Sequence, residues 1–284
     1  MEGINLEHGE YGLRAVITSP WRSDFGKYLA TNGIRELELN DGKGWRGSDL
    51  SFLTDLPHLT SFKIIDLEIR SVEPIHALHE LLALEVITYC NTAITFSAFP
   101  LLQECSLEWR SGATSLFEVR TLKKLFLNSY KGRNVNAFAR LTELESLAIL
   151  NAPVENLLGL SDLTKLKSLR LANLKCLRSL AGIEPLVNLE DLDIHTCPRI
   201  GSIDQVGYLS RLRTFHLNNS GNIESLKPLA KLTQLESVLF YESTNIVDGD
   251  LSPLFGQQHL TNISFRNRRH YSHRREEFGA AYYR

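Results

Sequence analysis

Apolar residues recur along this chain with an L-x-x-L-x-L spacing, which is plainest between residues 144 and 217. Four consecutive copies open at Leu144, Leu166, Leu189 and Leu212, so their starts are 22, 23 and 23 residues apart. A fixed period in the low twenties is typical of a solenoid. Although 284 residues would suggest about two domains, the repeat predicts one elongated array.

The same pattern extends towards both ends of the chain. Further units open at Ile34, Leu59, Leu84, Leu102 and Leu122 upstream, and at Leu235 and Leu260 downstream. This gives about 11 units over residues 34–267, and a degenerate twelfth opens at Leu13 with Val16 and Thr18 in the pattern. The spacing varies from 18 to 25 residues. We assign that variation to the connecting arcs, because the strand register must hold for the core to stay continuous.

Each unit predicts one β-strand. The last Leu-x-Leu of the motif alternates with period two, which points the leucines to one face and the intervening residues to the other. Neighbouring units then bury each other's apolar sides, because a single unit cannot do so alone. The predicted fold class is α/β, with a parallel sheet on the inner, concave side and short helical or irregular arcs on the convex side.

These motifs resemble the leucine-rich repeat family, whose usual form is L-x-x-L-x-L-x-x-N/C-x-L. Cys197 fills the N/C position, whereas other units place Ala152, Leu174, Ser220 or Ser243 there. The arc over residues 223–229 is similar to the short internalin or phosphatase-regulator repeats. The resemblance covers roughly the whole chain and implies a right-handed leucine-rich-repeat solenoid.

Both ends of the repeat array need caps. Residues 1–33 predict a strand–helix cap: a strand over 13–18, Ser23 or Asp24 as the helix N-cap, a helix over 25–31 and Gly33 as the C′ glycine. Residues 268–284 are polar and basic. They predict either a second cap or a disordered tail.

Charge and targeting signals narrow the possible partners. The formal net charge is −2, which argues against a nucleic-acid partner, and residues 1–100 carry 8 basic and 14 acidic side chains. The start of the chain lacks the basic and apolar regions of a signal peptide, and no run of about 18 apolar residues exists. We therefore expect a cytoplasmic chain with no membrane partner.

The cysteines support the same compartment. The chain has four cysteines, none of which form a C-x-x-C pair: Cys90, Cys105, Cys176 and Cys197. In a cytosolic protein, such cysteines are expected to be free thiols. No cofactor motif accompanies them. We expect no cofactor, and a monomer when the chain is free.

The outward strand positions supply the candidate binding residues. Large apolar, aromatic and charged side chains stand where water is expected, and such groups are enriched in interface hot spots. They would alternatively pack against neighbouring strands or a long loop. The predicted partner-binding residues are Glu36, Glu38, Glu104, Glu108, Trp109, Phe126, Arg170, Asp191, Asp193, His195, His216 and Tyr241.

Two patterns could carry chemistry instead. One strand face carries Asp191, Asp193 and His195, and His216 lies on the same face one repeat later. These four side chains could form a metal site or an acid–base cluster. However, the sequence shows no second shell of residues that would orient them. A polar recognition patch is the favoured interpretation. The G-x-G-x-x-G at residues 42–47 follows a strand that alternates acid and leucine, unlike a dinucleotide site. We predict a connecting loop whose Trp45 could touch a partner.

The expected function is a non-enzymatic protein-binding module that captures one protein partner on its concave face. The resemblance to solitary bacterial leucine-rich-repeat proteins implies an immunity protein that neutralises a toxin. The acidic first third suits a basic toxin, such as a nuclease, or another basic enzyme. The alternative is a regulatory or scaffold subunit of a cellular enzyme, and a third hypothesis is a metal-dependent hydrolase that uses the Asp–His cluster.

Overall fold

The computed structural model describes residues 1–278, which fall into two compact units: unit 1 is Met1–Leu127, and unit 2 begins at Asn128. The last six residues of the predicted basic tail lie outside the described residues. Within residues 1–278, no helix has the length and apolar character that a membrane span requires.

Unit 1 begins with a hairpin in which β1 (Ile4–His8) pairs antiparallel with β2 (Leu13–Ile17). The helix α1 (Ser23–Thr31) follows, and β2 then pairs in parallel with β3. The strands of this unit lie in chain order. They are β3 (Glu36–Asn40), β4 (Ser61–Ile65), β5 (Ala83–Ile87), β6 (Glu104–Glu108) and β7 (Lys124–Asn128), which ends at the unit boundary.

Unit 2 continues with one strand in each repeat. These strands are β8 (Ser146–Leu150), β9 (Ser168–Ala172), β10 (Asp191–His195), β11 (Thr214–Asn218), β13 (Ser237–Phe240) and β15 (Asn262–Phe265). Two short strands, β12 (Asn222–Ile223) and β14 (Asn245–Ile246), pair separately in parallel.

The arcs between strands are short 3₁₀ turns. A repeat of 20–25 residues leaves little chain for a full helix, and proline opens several of the turns, where its missing N–H costs nothing. In unit 1 these turns are Asp41–Lys43, Ser51–Asp55, Glu73–Ala77, Phe96–Ala98 and Ser111–Glu118. In unit 2 they are Asn136–Arg140, Leu158–Leu160, Asp204–Tyr208, Lys227–Lys231, Ser252–Leu254 and Arg275–Phe278.

The core consists of rows of aligned apolar side chains. In unit 2, Leu169 pairs with Leu192 and Leu192 with Phe215, and all three are buried. Because successive side chains alternate, the intervening residues point outward. The predicted parallel sheet with one strand per repeat is confirmed.

The predicted register was wrong in one repeat. Leu84 is level with Phe62 on one side and Cys105 on the other, so it fills the fourth position of its motif rather than the first. The unit opens at Leu81, which lies 22 residues after Leu59 and 21 before Leu102. The 18-residue spacing therefore disappears.

The amino-terminal cap also differs in detail from the prediction. Ala15 and Ile17, rather than Val16 and Thr18, are level with the core residues of β3, and the strand β1 was not predicted. The helix starts at Ser23, and Arg22 is its N-cap without a side-chain hydrogen bond. Gly33 takes the expected C′ position with φ of 62°.

A polar ladder follows the strands of unit 2. The residue directly after five successive strands has positive φ, at Ser129, Asn151, Asn173, Thr196 and Asn219, and Glu242 has positive φ two residues after β13. The Asn151 amide donates to Asn128 Oδ1 at 2.6 Å, and that of Asn173 donates to Asn151. The inner-turn position predicted for Ser243 is held instead by the buried Thr244, whose hydroxyl donates to the Leu217 carbonyl at 2.8 Å.

The carboxyl-terminal segment of the described chain packs against the last repeats of unit 2. Tyr271 and Phe278 are buried, and their rings lie 6.0 and 5.9 Å from that of Phe265 on β15. The Ile246 N–H donates to the Tyr271 hydroxyl oxygen at 3.0 Å. These contacts cover the apolar end of the last repeat.

Candidate functional site

In unit 1, the tip of the β1–β2 hairpin lies over the outward face of the sheet. The backbone N–H of Tyr11 donates to Glu36 Oε1 at 2.6 Å, and its hydroxyl donates to Glu104 Oε1 at 3.0 Å. Glu36 and Glu104 open β3 and β6 respectively. The tip therefore crosses the amino-terminal ends of several parallel strands.

A lysine on β7 fastens the tip. Lys124 Nζ lies 2.6 Å from Glu10 Oε1 and 2.8 Å from Glu104 Oε1. The hydrogen bonds to both carboxylates raise the pKa of Lys124, while the bond from Lys124 lowers the pKa of Glu10. Burial, together with the nearby Glu104 charge, raises the pKa of Tyr11. A cavity of about 140 Å³ remains beneath the tip, lined in part by Lys63 and Glu85.

The prediction that Glu36 and Glu38 face solvent is wrong, because the hairpin buries both. The Arg14 guanidinium donates to Glu36 Oε2 at 3.0 Å and lies 3.9 Å from Glu38 Oε2. Lys43 Nζ lies 3.2 Å from Glu38 Oε2. Both carboxylates therefore form ion pairs within unit 1.

The aromatic candidates of unit 1 are only partly exposed. Trp109 packs beside the buried Phe117 with ring centroids 5.6 Å apart, so the loop-packing alternative holds for this residue. Phe126 and Glu108 lie at outward positions of β7 and β6 and are half-buried. Trp45 is buried and its indole N–H donates to Asp66 Oδ2 at 3.0 Å, so the prediction that it touches a partner is wrong.

The structure reveals an apolar patch that is absent from the predicted partner-binding residues. Ile65 and Ile87 are paired outward residues at the ends of β4 and β5, and both are half-exposed. Two residues beyond each stand the exposed Leu67 and Tyr89. The correct register of the repeat that opens at Leu81 would have placed Ile87 and Tyr89 on this face.

In unit 2, six candidate residues come together on one outward surface, which we call the unit 2 face: Arg170, Asp191, Asp193, His195, His216 and Tyr241. Strand pairing puts Asp193 between Arg170 and His216, and Arg170 Nε lies 3.4 Å from Asp193 Oδ2. Arg170 and Asp191 are exposed, and the other four are half-buried. The sequence alone thus placed these residues on a shared, accessible surface.

Hydrogen bonds hold the imidazoles of this face. His216 Nε2 lies 3.2 Å from Ser237 Oγ, and His195 Nε2 lies 3.3 Å from the Asn218 amide nitrogen. Burial lowers the pKa of His216 despite the opposing charges of Asp193 and Asp191. No group of three or more His, Cys, Asp and Glu side chains within residues 1–278 is arranged to hold a metal ion.

Solved structures share this architecture, although neither a protein-family model nor a curated protein matches the sequence. An internalin, InlF, from Listeria monocytogenes is similar at 20% identity with a TM-score of 0.64, covering 90% of this chain and 87% of its own. The chain has the leucine-rich-repeat fold.

Two further structures agree with the repeat fold. The functional domain of InlJ from Listeria monocytogenes is 16% identical with a TM-score of 0.52, and the match covers 84% of this chain and 61% of that domain. A TDR receptor is 15% identical with a TM-score of 0.62, over 87% of this chain and 45% of the receptor chain. At these identities the leucine-rich-repeat likeness concerns the fold alone.

Proposed function

We propose that this chain is a non-enzymatic protein-binding module that captures one protein partner on the unit 2 face. One observation carries the proposal: four successive repeats present partly or fully exposed side chains in register on this face. Its Arg and Tyr belong to the residue types that dominate interface hot spots. The aspartates and histidines supply polar contacts around them.

The dimensions of the face suit a protein rather than a small molecule. Parallel strands lie about 4.8 Å apart, so four repeats span roughly 14 Å across the sheet. The Arg170–Asp193 pair and the hydrogen-bonded imidazoles hold their side chains in place before binding. A surface that is ordered in advance loses less conformational entropy when a partner docks.

A finer form of the proposal is that the partner is a toxic enzyme and that the chain neutralises it in the cytoplasm as an immunity protein. The excess of acidic residues among the first hundred supports a basic partner, because complementary charge accelerates encounter. Neutralisation would require only that the captured surface includes the active site of the toxin.

The test compares two triple variants in capture from the native cell extract, read by quantitative mass spectrometry. The first variant alters the unit 2 face by combining Arg170→Ala, Asp191→Ala and Tyr241→Ala. The matched control changes three exposed apolar side chains outside the strands, Leu158→Ala, Val187→Ala and Tyr208→Ala. We expect the first variant to lose one stoichiometric partner at least about tenfold, as hot-spot truncation implies, and the control to retain it.

Equal retention by both variants would contradict the unit 2 face as the binding site. The identity of the partner then tests the finer proposal. A toxic enzyme that is inhibited by the wild-type chain and not by the face variant supports immunity. A housekeeping enzyme whose activity is modulated by the chain would contradict immunity and favour the regulatory alternative.

A further inference from the structure

Unit 1 contains a buried arginine whose positive charge has no carboxylate partner among the residues that the structure describes. Arg110 follows β6 and is only 5% exposed. Its Nη2 donates to the Thr88 carbonyl at 3.2 Å and to Thr88 Oγ1 at 3.0 Å, while its Nε has no hydrogen-bond partner. No carboxylate within residues 1–278 forms an ion pair with Arg110. A buried charge without a counter-ion is costly, so an anion is expected beside it.

The group beside Arg110 is the thiol of Cys90. Arg110 Nη1 donates to Cys90 Sγ at 3.4 Å, and Thr88 Oγ1 lies 3.3 Å from the same sulfur. Arginine can only donate, so Thr88 Oγ1 accepts from Arg110 and keeps its own hydrogen for the sulfur. Two donors therefore converge on Cys90 Sγ, an arrangement that favours the thiolate over the thiol.

We propose that Cys90 is a modification site: its thiolate is the counter-ion of Arg110 and reacts with low-molecular-weight disulfides. The thiolate is the nucleophilic form of cysteine, and partly exposed thiols beside a cationic side chain are the reactive ones. Cys90 is free and half-buried. The neighbouring Tyr89 is 67% exposed, so a small reagent can approach along this edge.

The buried thiols of Cys105 and Cys197 differ from Cys90 in the direction of their pKa shifts. At Cys90, burial alone would raise the pKa, but the hydrogen bonds from Thr88 and Thr92 and the charge of Arg110 together lower it. Burial raises the pKa of Cys197 to about 11 and also raises that of Cys105. Those two buried thiols stay protonated and unreactive.

The reaction is a thiol–disulfide exchange. Cys90 Sγ attacks one sulfur of the disulfide and forms a new S–S bond, and the second sulfur leaves as a thiolate with the bonding electron pair. Cys90 is thereby oxidised and the leaving sulfur reduced. The product removes the negative charge beside Arg110 and adds a group next to Tyr89, which belongs to the uncovered apolar patch.

The test measures the labelling rate of each cysteine in the full-length protein with iodoacetamide between pH 5.5 and 9, by peptide mass spectrometry. Cys176, also free and half-buried, is the internal reference. We expect Cys90 to react at least about tenfold faster than Cys176 at pH 7, with a midpoint below the usual value near 8.5. Dithiobis(nitrobenzoate), an aromatic disulfide, should give a mixed disulfide at Cys90 first.

A conservative variant removes the Thr88 hydroxyl, which contacts both the sulfur and Arg110. Thr88→Val keeps the shape of the buried side chain but removes its hydroxyl, so Cys90 labelling should slow and its midpoint should move to higher pH. Thr244→Val, which removes a buried hydroxyl that donates to the Leu217 carbonyl instead, is the matched control. The proposal is overturned if Cys90 reacts no faster than Cys176, or if Thr88→Val leaves its rate and midpoint unchanged.

Discussion

The charged residues of unit 1 show two ways of keeping a charge away from water. Glu36 is fully buried but receives the guanidinium of Arg14 and the backbone N–H of Tyr11. Arg110 is nearly as buried and has hydroxyl, carbonyl and thiol partners instead of a carboxylate. The first arrangement contributes to stability through a paired charge, whereas the second selects the ionised form of a neighbouring thiol.

At the residue scale, we predict that Arg14→Met destabilises the fold by about 2–3 kcal/mol. Removal of one partner from a buried ion pair leaves the other charge uncompensated, at about 3–5 kcal/mol. The cost is smaller here because the Arg14 side chain is 25% exposed and Glu36 keeps its bond from Tyr11. Chemical denaturation measures the difference.

The matched control for this prediction is Arg22→Met. Arg22 pairs with Asp24 at 2.9 Å, but both side chains are about half exposed. Water and salt screen such a pair, so little change in stability is expected. Comparable losses in the two variants would show that burial of Glu36 does not set the cost.

At the scale of elements, the β1–β2 hairpin acts as more than an edge cap. β2 continues the parallel sheet through β3, while the hairpin tip turns over the outward face and reaches side chains of β6 and β7. The contacts of the tip are mainly polar: a phenol hydroxyl, two carboxylates and one lysine. Because the tip packs on the sheet of its own unit, it covers outward residues at the amino-terminal ends of the strands. Ile65 and Ile87, at the opposite ends of their strands, remain accessible.

We predict that Lys124→Ala loosens the hairpin tip without unfolding unit 1. Lys124 joins Glu10 and Glu104, but its side chain is about half exposed, so the pair is partly screened. Amide exchange at residues 9–12 should accelerate by about two- to fivefold, the range expected for an exposed ion pair. Hydrogen exchange read by mass spectrometry measures this change.

Lys167→Ala provides the comparison for the hairpin. Lys167 forms an ion pair of the same length with Glu145 in unit 2, with similar exposure, and makes no contact with the tip. Exchange at residues 9–12 should be unchanged in that variant. If Lys124→Ala also leaves the exchange unchanged, the lysine does not fasten the tip.

At the scale of the whole molecule, both terminal repeats are closed by segments that do not follow the repeat pattern. The hairpin and α1 cover the start of unit 1, and residues 266–278 cover the end of unit 2. Exposed strand edges and stacked apolar rows promote self-association, so terminal caps keep repeat proteins soluble. We therefore propose that the free chain is a monomer.

This proposal predicts that a chain ending at residue 267 self-associates. The truncation removes Tyr271 and Phe278 and leaves Phe240 and Phe265 without their edge contacts. Light scattering should give the monomer mass of 32.2 kDa for the full chain and larger species for the truncated one. A chain ending at residue 278 keeps the described cap and should remain monomeric. A monomeric, equally stable 1–267 chain would refute the capping role.

The repeat period determined most of the fold without the structure. Leucines at fixed spacing predicted one parallel strand per repeat, and the aligned Leu169, Leu192 and Phe215 confirm it. The same alternation placed the six residues of the unit 2 face on an accessible surface. It failed at Leu84, because leucine also occupies positions 81 and 82, so the spacing alone did not fix the register.

The sequence by itself thus determined the periodic features of this protein: one strand in each repeat, the inward leucines and the outward positions. Only the tertiary structure decided what covers those positions. Three of these contacts join segments that are distant in the sequence. They bury Glu36 and Glu38 under the hairpin, attach Lys124 to the hairpin tip, and place Arg110 beside Cys90. Local periodicity determines which way a side chain points, whereas these contacts depend on how distant segments meet in space.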